Sequence, residues 1–389
     1  MTTQNSAPKD FGFGEDEAML RDLASKFLDE KMPVETLRRL VAEAPEPVYE
    51  GGQRAQWDMS LWKEIVELGW TGLAVAEAEG GAGVSLVGIA GLVEEVGRHA
   101  LPSPLVPTLS STLVLRAAGG EVAKNLMARI AQGAAASLAI TNERGSWEAI
   151  DAPLDAREES GEIVLSGAAF FVQDAFKVDC LLASARLGDE VVLCAVEIDT
   201  PGLRIEADHI HDLTRDQATV YFDSVRVGEA NIVSRSAASA LRAAWPGLLV
   251  LVAADLCGSS EWQLQATVEY AKQRKQFDRE IGFFQAVKHP LVDAMVLIDR
   301  ARSLLYHAAC EIDIGSESAE NAARMAKSAA SDAGAFVSDR SVQLHGGIGF
   351  TWECDIHIFF KRSMHNQALL GDGVHQRKKL ADVLIGPIT

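Results

Sequence analysis

The period of the hydrophobic pattern changes twice along this 389-residue chain, and these changes constrain the fold more than any single motif. Helical spacing begins with the apolar residues between Glu15 and Lys31 and continues to about residue 134. Over residues 135–233, short runs rich in Val, Leu, Ile and Phe are separated by Gly, Asp and Asn, which is typical of β-strands. Helical spacing then returns. The sequence predicts a mainly α fold with a helical domain over 1–134, a small β-barrel-like domain over 135–233 and a four-helix bundle over 234–389.

The same pattern predicts individual elements. Helices are expected over 15–31, 61–68, 85–100 and 110–118, and Gly119 and Gly120 are expected to end the last of these. Pro246 is expected to kink or restart the first bundle helix. Strands are expected in the runs 136–141, 162–167, 168–175, 180–186, 191–198 and 218–227.

Composition narrows the class of partner. With 48% hydrophobic side chains the chain can bury the cores of two or three domains. A formal net charge of -19 repels nucleic acid and anionic lipid, so we expect neither as a partner. The N-terminal residues lack a basic region followed by an apolar core, and no apolar run approaches the roughly 20 residues that a membrane helix needs. A cytoplasmic protein is expected.

Neither a metal site nor a disulfide framework is indicated. The five cysteines are scattered and form no CxxC pair. His209 and His211 are the nearest approach to a metal pair, but they fall in a predicted strand and lack an evident third ligand.

Two segments in the C-terminal half indicate an anionic, aromatic ligand. In residues 274–293, Arg274 offers a fork of donors suited to a diphosphate, Phe277 a flat apolar face, and Gln285 an amide that donates and accepts. In residues 343–350, Gln343 precedes two glycines, Gly346 and Gly347, whose backbone can lie close to a ligand. A dinucleotide fits this combination, although the glycines alone would favour a plain turn.

These two segments, together with 69–86, 138–146 and 212–227 in the same order, resemble motifs of the acyl-CoA dehydrogenase family over nearly the whole chain. The resemblance implies FAD between the β domain and the bundle, with its diphosphate held by a neighbouring subunit. It further implies an acyl-CoA substrate, an electron-transfer flavoprotein or similar acceptor, and a homo- or hetero-tetramer.

The resemblance also implies roles for particular residues. Arg274 and Phe277 would contact the FAD of the neighbouring subunit, and Gln343, Gly346 and Gly347 would line the same diphosphate. Thr141 and Ser146 match the loop that touches the flavin ring, although Asn142 and Glu143 replace the usual Glu-Pro. Phe171 stands where a Trp often covers the ring and could equally be core, and Gln173 stands where a hydroxyl residue usually contacts it.

The family reaction needs a partly desolvated carboxylate, with a raised pKa, to remove the α proton while the flavin takes the β hydride. By the resemblance, one family position for this base falls on Leu370 and the second falls near Leu248, and both are apolar. Asp255 lies seven residues after Leu248 on the same helix, about 10 Å further along, and is the only charge in an apolar stretch. We expect a raised pKa and a general-base role for it, with a structural aspartate satisfied by a neighbouring helix or an arginine as the alternative. Asp372 is the second candidate, although Asp-Gly is first a turn signal.

Three functions remain open. The first is an FAD-dependent acyl-CoA dehydrogenase that introduces a 2,3 double bond, with Asp255 as base. The second is a non-catalytic subunit of a heteromeric dehydrogenase, of the kind that acts on steroid side chains and other bulky acyl-CoAs, which completes the FAD site of a partner. The third is a flavin oxidase or monooxygenase on the same scaffold.

Overall fold

The computed structural model describes residues 11–42 and 56–386. Residues 1–10, on which part of the argument against a leader segment rests, therefore lie outside it. Within the described ranges, the helix predicted over 15–31 has the expected bounds, and the helix predicted over 110–118 begins earlier, at Leu105. A helix that starts at Gly120 directly after the predicted glycine stop was not expected. The helices of this part are α1 (Glu15–Lys31), α2 (Val34–Ala42), α3 (Met59–Glu67), α4 (Leu86–Arg98), α5 (Leu105–Ala118) and α6 (Gly120–Ala131).

The middle of the chain forms one mixed sheet. Two predicted runs, 162–167 and 168–175, belong to a single strand, because backbone irregularities near Gly167 and between Ala169 and Val172 bend it without ending it. The strands are β1 (Ala136–Ala139), β2 (Leu154–Glu159), β3 (Glu162–Gln173), β4 (Cys180–Leu187), β5 (Glu190–Glu197), β6 (Leu203–Ala207), β7 (Gln217–Val227) and β8 (Ile232–Ser234). Seven of them follow the order β6-β7-β3-β2-β4-β5-β8, and β1 pairs in parallel with β4.

Helices return after the sheet. They are α7 (Ala238–Gln273), α8 (Gln285–Asp313), α9 (Ala319–His345), α10 (Ile356–Ala368) and α11 (Gly373–Leu384). The first four pack on one another as a bundle, and α11 packs on α9. A short hairpin of β9 (Lys275–Gln276) and β10 (Arg279–Glu280) joins α7 to α8. The mainly α fold with a central sheet is confirmed, whereas the domain limits at residues 134 and 233 stay a prediction.

Helix α7 continues through Pro246, so the expected restart there was wrong. Apolar residues on both sides of Pro246 are buried, and this packing outweighs the loss of one backbone hydrogen bond. By length and composition alone α7 could cross a membrane, which differs from the expectation that no apolar run is long enough. However, 78% of its most apolar window is buried inside the protein, and so the core accounts for its composition.

Glycines bring α4 and α7 into backbone contact. A Cβ added at Gly258 would lie 1.8 Å from the carbonyl oxygen of Glu94, and one added at Gly97 would lie 2.2 Å from that of Asp255. Neither helix therefore tolerates a side chain at its crossing point. This crossing fixes the depth of the middle of α7, which carries Asp255.

Candidate functional site

A cavity of about 70 Å³ lies where α5, α7, β1 and β3 meet. The predicted ring contacts Thr141, Phe171 and Gln173 line it together, and we call it the ring pocket. Ser146 does not line the ring pocket but a neighbouring cavity of about 150 Å³. The other residues that line the ring pocket are Val106, Pro107, Ser110, Ser137, Leu138, Ile140, Trp147, Arg215, Leu248, Val252, Leu369 and Leu370.

Phe171 lies in the irregular part of β3 in a left-handed conformation, with φ at +57°. Its side chain is 38% exposed, so that Phe171 is a wall of the pocket and not an ordinary core residue. The carbonyl oxygen of Thr141 accepts a hydrogen bond of 2.9 Å from the Phe170 N–H. This bond joins the end of β1 to the bend in β3 and brings Thr141 and Phe171 to one cavity.

Asn142 organises the loop after β1, a role that sequence reasoning missed. Its Oδ1 accepts from the N–H groups of Arg144 at 3.0 Å and Ser146 at 3.1 Å, and its Nδ2 donates to the Asp151 carbonyl at 3.3 Å. The Ser146 hydroxyl donates to Asp151 Oδ2 at 2.7 Å and is therefore already committed within the loop. An asparagine directly after a strand, with Gly145 three residues later, is a signal for such a side-chain turn.

Asp255 is fully buried and bound on all sides. Arg362 donates from Nε to Oδ1 at 2.9 Å and from Nη2 to Oδ2 at 2.6 Å, and Arg215 donates from Nη2 to Oδ2 at 2.5 Å. Asn366 adds a bond to Oδ1 at 2.7 Å. Burial alone would raise the pKa of Asp255, but Arg362 and Arg215 outweigh it and hold that pKa below its usual value. The expected raised pKa was wrong, and the contacts match the alternative of a structural aspartate.

The ion pair belongs to a buried network that joins the sheet to the bundle. Arg362 Nη1 donates to the Thr214 hydroxyl at 2.8 Å, and this hydroxyl donates to Asp212 at 2.7 Å. On the sheet side, Lys177 pairs with Asp174 at 2.7 Å and with Asp216 at 3.4 Å. Sequence reasoning found Asp255 as a lone charge but not its arginines, because they come from segments about 40 and 107 residues away.

Neither family position for the base supplies a carboxylate. Leu248 and Leu370 both line the ring pocket, and no described residue that lines it is acidic. Leu370 has φ at +58°, and its carbonyl accepts from Gln376 Nε2 at 2.7 Å. Asp372 caps α11 by accepting from the His375 N–H at 2.8 Å, in agreement with its turn signal.

A buried lysine holds the loop that carries Leu370, and the sequence analysis did not single it out. Lys327 Nζ donates to Ser331 Oγ at 2.8 Å and to the carbonyls of Gln367 at 3.0 Å and Gly371 at 2.9 Å. Burial lowers the pKa of Lys327 to about 7. A single lysine in the Ala-rich stretch of α9 is the available sequence signal.

A second set of predicted residues lies at the far ends of α7 and α9. Tyr270 stacks on His345 with ring centroids 4.3 Å apart, which brings the end of α7 beside the end of α9. Phe277 is 86% exposed, and a Cβ at Gly346 or Gly347 would meet no atom within 4 Å. We call these residues the outer patch, and all of them are exposed: Arg274, Phe277, Gln285, Gln343, Gly346 and Gly347.

The ring pocket and the outer patch of one chain are too far apart for a single flavin ring and its diphosphate. Val252 lines the pocket, and Arg274 follows 22 residues later at the end of the same helix, a span of about 33 Å. The five-carbon ribityl chain that joins a flavin ring to its phosphates is much shorter. The residues fit FAD as two half-sites, because an exposed cation, ring and open glycines suit a diphosphate while the pocket suits a flat ring.

Comparison with known proteins identifies the family. Residues 14–134 match the acyl-CoA dehydrogenase N-terminal domain, and residues 250–385 match the acyl-CoA dehydrogenase C-terminal domain. The chain is 32% identical over 348 residues to acyl-CoA dehydrogenase IpdE2 of Mycobacterium tuberculosis, a match that covers 88% of this chain and 93% of that protein. The chain belongs to the acyl-CoA dehydrogenase family, whose cofactor is FAD, so the resemblance inferred from the sequence is confirmed.

Solved structures of similar fold agree with this family assignment. The fold is similar to the Tcur3481-Tcur3483 steroid ACAD, with a TM-score of 0.83 and 29% identity over 96% of this chain and 98% of that one. It is also similar to a structure described as the electron transferring flavoprotein of Acidaminococcus fermentans, with a TM-score of 0.86 and 25% identity over 97% of this chain and 100% of that one.

Proposed function

We propose that this chain is a subunit of a heteromeric acyl-CoA dehydrogenase, in which it completes the FAD site of a homologous partner and does not itself remove the α proton. The observation that carries the proposal is the ring pocket, which no described carboxylate lines. By the resemblance, one family position for the base falls on Leu370 and the other near Leu248, and both leucines line this pocket. A proton acceptor must therefore come from the partner.

Asp255 is not a substitute for the missing base. A general base near neutral pH needs a pKa raised toward neutrality, whereas Arg362 and Arg215 stabilise the ionised form of this carboxylate. Arg215 lines the ring pocket and lies between this pocket and Asp255. Removing a proton from a substrate would mean breaking two buried, charge-assisted contacts.

The outer patch is the part of this chain that serves the partner. Arg274 and the backbone at Gly346 and Gly347 would hold the diphosphate of the partner's FAD, with Gln285 and Gln343 as further hydrogen-bonding groups and Phe277 as a flat contact. FAD, when bound, takes the hydride from the substrate β carbon. The exposure of every residue in the patch supports a role toward a second chain.

The remaining parts of the proposal follow from the relatives. The similarity to the Tcur3481-Tcur3483 steroid ACAD supports a bulky, steroid-type acyl-CoA substrate. Because that name joins two different proteins, it also supports a hetero-tetramer. The similarity to a structure described as an electron transferring flavoprotein supports an acceptor of that kind. A cytoplasmic location is part of the same proposal.

The test is to purify the chain alone and with a homologous acyl-CoA dehydrogenase subunit, and to measure FAD per chain and dehydrogenation of an acyl-CoA panel with an artificial acceptor. We expect bound FAD and turnover only in the complex. Arg274→Ala in this chain should lower FAD content, because it removes the cation for the diphosphate. Lys272→Ala is the matched control, since Lys272 is a nearby cation paired with Glu269 at 2.5 Å. Full flavin occupancy and turnover by the chain alone would contradict the proposal.

A further inference from the structure

A chain of hydrogen bonds runs from the sheet edge to the ring pocket and passes through two glutamines. Gln217 Nε2 donates to Asp208 Oδ2 at 2.8 Å, and Gln173 Nε2 donates to Gln217 Oε1 at 3.1 Å. Gln173 Nε2 also donates to the Phe171 carbonyl at 3.0 Å. At the bundle end, Gln173 Oε1 lies 2.9 Å from His365 Nε2.

The donor and the acceptor of every hydrogen bond in this series are determined. A carboxylate only accepts, so Asp208 requires the amide nitrogen of Gln217 and leaves the Gln217 oxygen for Gln173. Gln173 must then turn its nitrogen toward Gln217, and the Phe171 carbonyl independently requires the same orientation. His365 therefore donates from Nε2, and burial lowers the pKa of His365, which favours the neutral ring.

Gln173 is left with an acceptor and no donor. Both of its amide hydrogens are used, by Gln217 and Phe171, and one lone pair of Oε1 is used by His365. One lone pair of Oε1 remains for a ligand in the ring pocket that Gln173 lines. A hydroxyl at this position would differ, because it can rotate to donate or accept.

We propose that Gln173 presents a fixed hydrogen-bond acceptor to the ring pocket, so that this pocket favours reduced flavin over oxidised flavin. The same proposal puts N5 of the ring opposite Gln173 Oε1, where the N5 of oxidised flavin, an acceptor, would face a second acceptor, whereas the N5–H of reduced flavin would donate to it. Gln217 is a positioning residue, because it holds the Gln173 amide without lining the pocket. In the heteromer, oxidised FAD then occupies the partner's pocket in preference to this one.

The inference rests on the proposed function only for the assignment of the pocket to a flavin ring, and its test needs no partner. Lumiflavin is a suitable probe, because it has the ring but no phosphates and so does not depend on Arg274. Oxidised and dithionite-reduced lumiflavin are titrated anaerobically into the full-length chain. We expect reduced lumiflavin to bind about tenfold more tightly, the effect of one hydrogen bond gained and one repulsive contact avoided. Tenfold corresponds to an upward shift of about 30 mV in the midpoint potential of the bound ring.

Two variants separate the mechanism from a general effect of the pocket. Gln173→Thr and Gln217→Leu should each reduce the preference toward parity, the first by restoring a rotatable hydroxyl and the second by freeing an amide hydrogen of Gln173. Thr219→Val is the matched control. It removes the other hydrogen bond to Asp208, which Thr219 Oγ1 donates at 2.9 Å, and leaves the bonds from Asp208 through Gln217 to Gln173 in place. Thermal melts check that each variant is folded.

Several outcomes would overturn the inference. They are equal or tighter binding of oxidised lumiflavin by the wild type, no binding of either form, or a wild-type preference that survives Gln217→Leu in folded protein. These failures are distinct from a failure of the proposed function, which would show as FAD content of the complex that is insensitive to Arg274→Ala.

Discussion

Asp255→Asn tests whether the lone charge in α7 is structural or catalytic. The change keeps the size of the side chain and removes its negative charge, so that Arg362 and Arg215 remain buried at contact distance from a neutral amide. Breaking a buried ion pair by removing one partner costs about 3–5 kcal/mol. That loss is a large share of a typical folding free energy of roughly 5–15 kcal/mol.

The assay is thermal unfolding near neutral pH. At about 2 °C per kcal/mol for a chain of this size, the expected loss lowers Tm by roughly 6–10 °C. Asp199→Asn is the matched control, because Asp199 is an exposed aspartate in a turn of the sheet, and its change should leave Tm within about 1 °C.

The pH dependence gives a second readout. The folded pKa of Asp255 lies below the ordinary value of 3.8, so its ionised form stabilises the fold above that value and the stabilisation is lost as pH falls through the folded pKa. The difference in unfolding free energy between wild type and Asp255→Asn should therefore be constant near neutral pH and shrink in acid. A folded variant with wild-type Tm and lost turnover would refute the structural reading and restore the general-base reading.

Three further predictions follow from the packing. Gly258→Ala should lower Tm by several degrees, because its Cβ would lie 1.8 Å from the Glu94 carbonyl oxygen. Gly228→Ala is the control and should leave Tm unchanged, since a Cβ there would meet no atom within 4 Å. Equal Tm values for the two variants would refute the close crossing of α4 and α7. Lys327 has a folded pKa of about 7 against an ordinary value of 10.5, so the unfolded chain binds more protons between these values, and the stability of wild type relative to Lys327→Met should rise with pH across that window in chemical denaturation. A flat difference would contradict a buried lysine whose pKa is lowered in the folded protein. Asn142→Ala should increase protease cleavage in the 142–151 loop because three hydrogen bonds are lost, and an unchanged cleavage rate would show that the loop does not depend on them.

The sequence predicts the fold well because each part of it has its own hydrophobic period. Helix α1 and the strands around Ala136, Cys180 and Glu190 follow local patterns and were found at the expected places. The restart at Pro246 failed for a tertiary reason, since burial on both sides of the proline is not a local property. The sequence predicts two strands where the structure has β3 alone, because a bulge interrupts the alternation of apolar and polar residues. The bulge does not end the pairing of β3 with β7.

The site is predictable in position but not in electrostatics. Three of the four predicted ring contacts, Thr141, Phe171 and Gln173, line one pocket, and their contact with a flavin stays a prediction. The charge state of Asp255 depends instead on Arg215 and Arg362, which meet it only when the loop before β7 packs against α7 and α10. An isolated acid in an apolar stretch is therefore a signal of burial, and the sign of its pKa shift requires knowledge of its partners.

The loop around Leu370 shows how a pocket can keep its shape without its reactive group. A leucine in the left-handed region costs about 1–2 kcal/mol relative to an extended backbone, and so it persists only where other contacts determine it. Gln376 binds its carbonyl, and Lys327 binds the next one along the chain. These bonds hold residue 370 toward the ring pocket whatever its side chain is, and here that side chain cannot accept a proton. Both the retained loop and the missing carboxylate are expected of a subunit that leaves proton removal to its partner. Such a subunit still needs the loop around Leu370 as part of the fold that presents its outer patch to that partner.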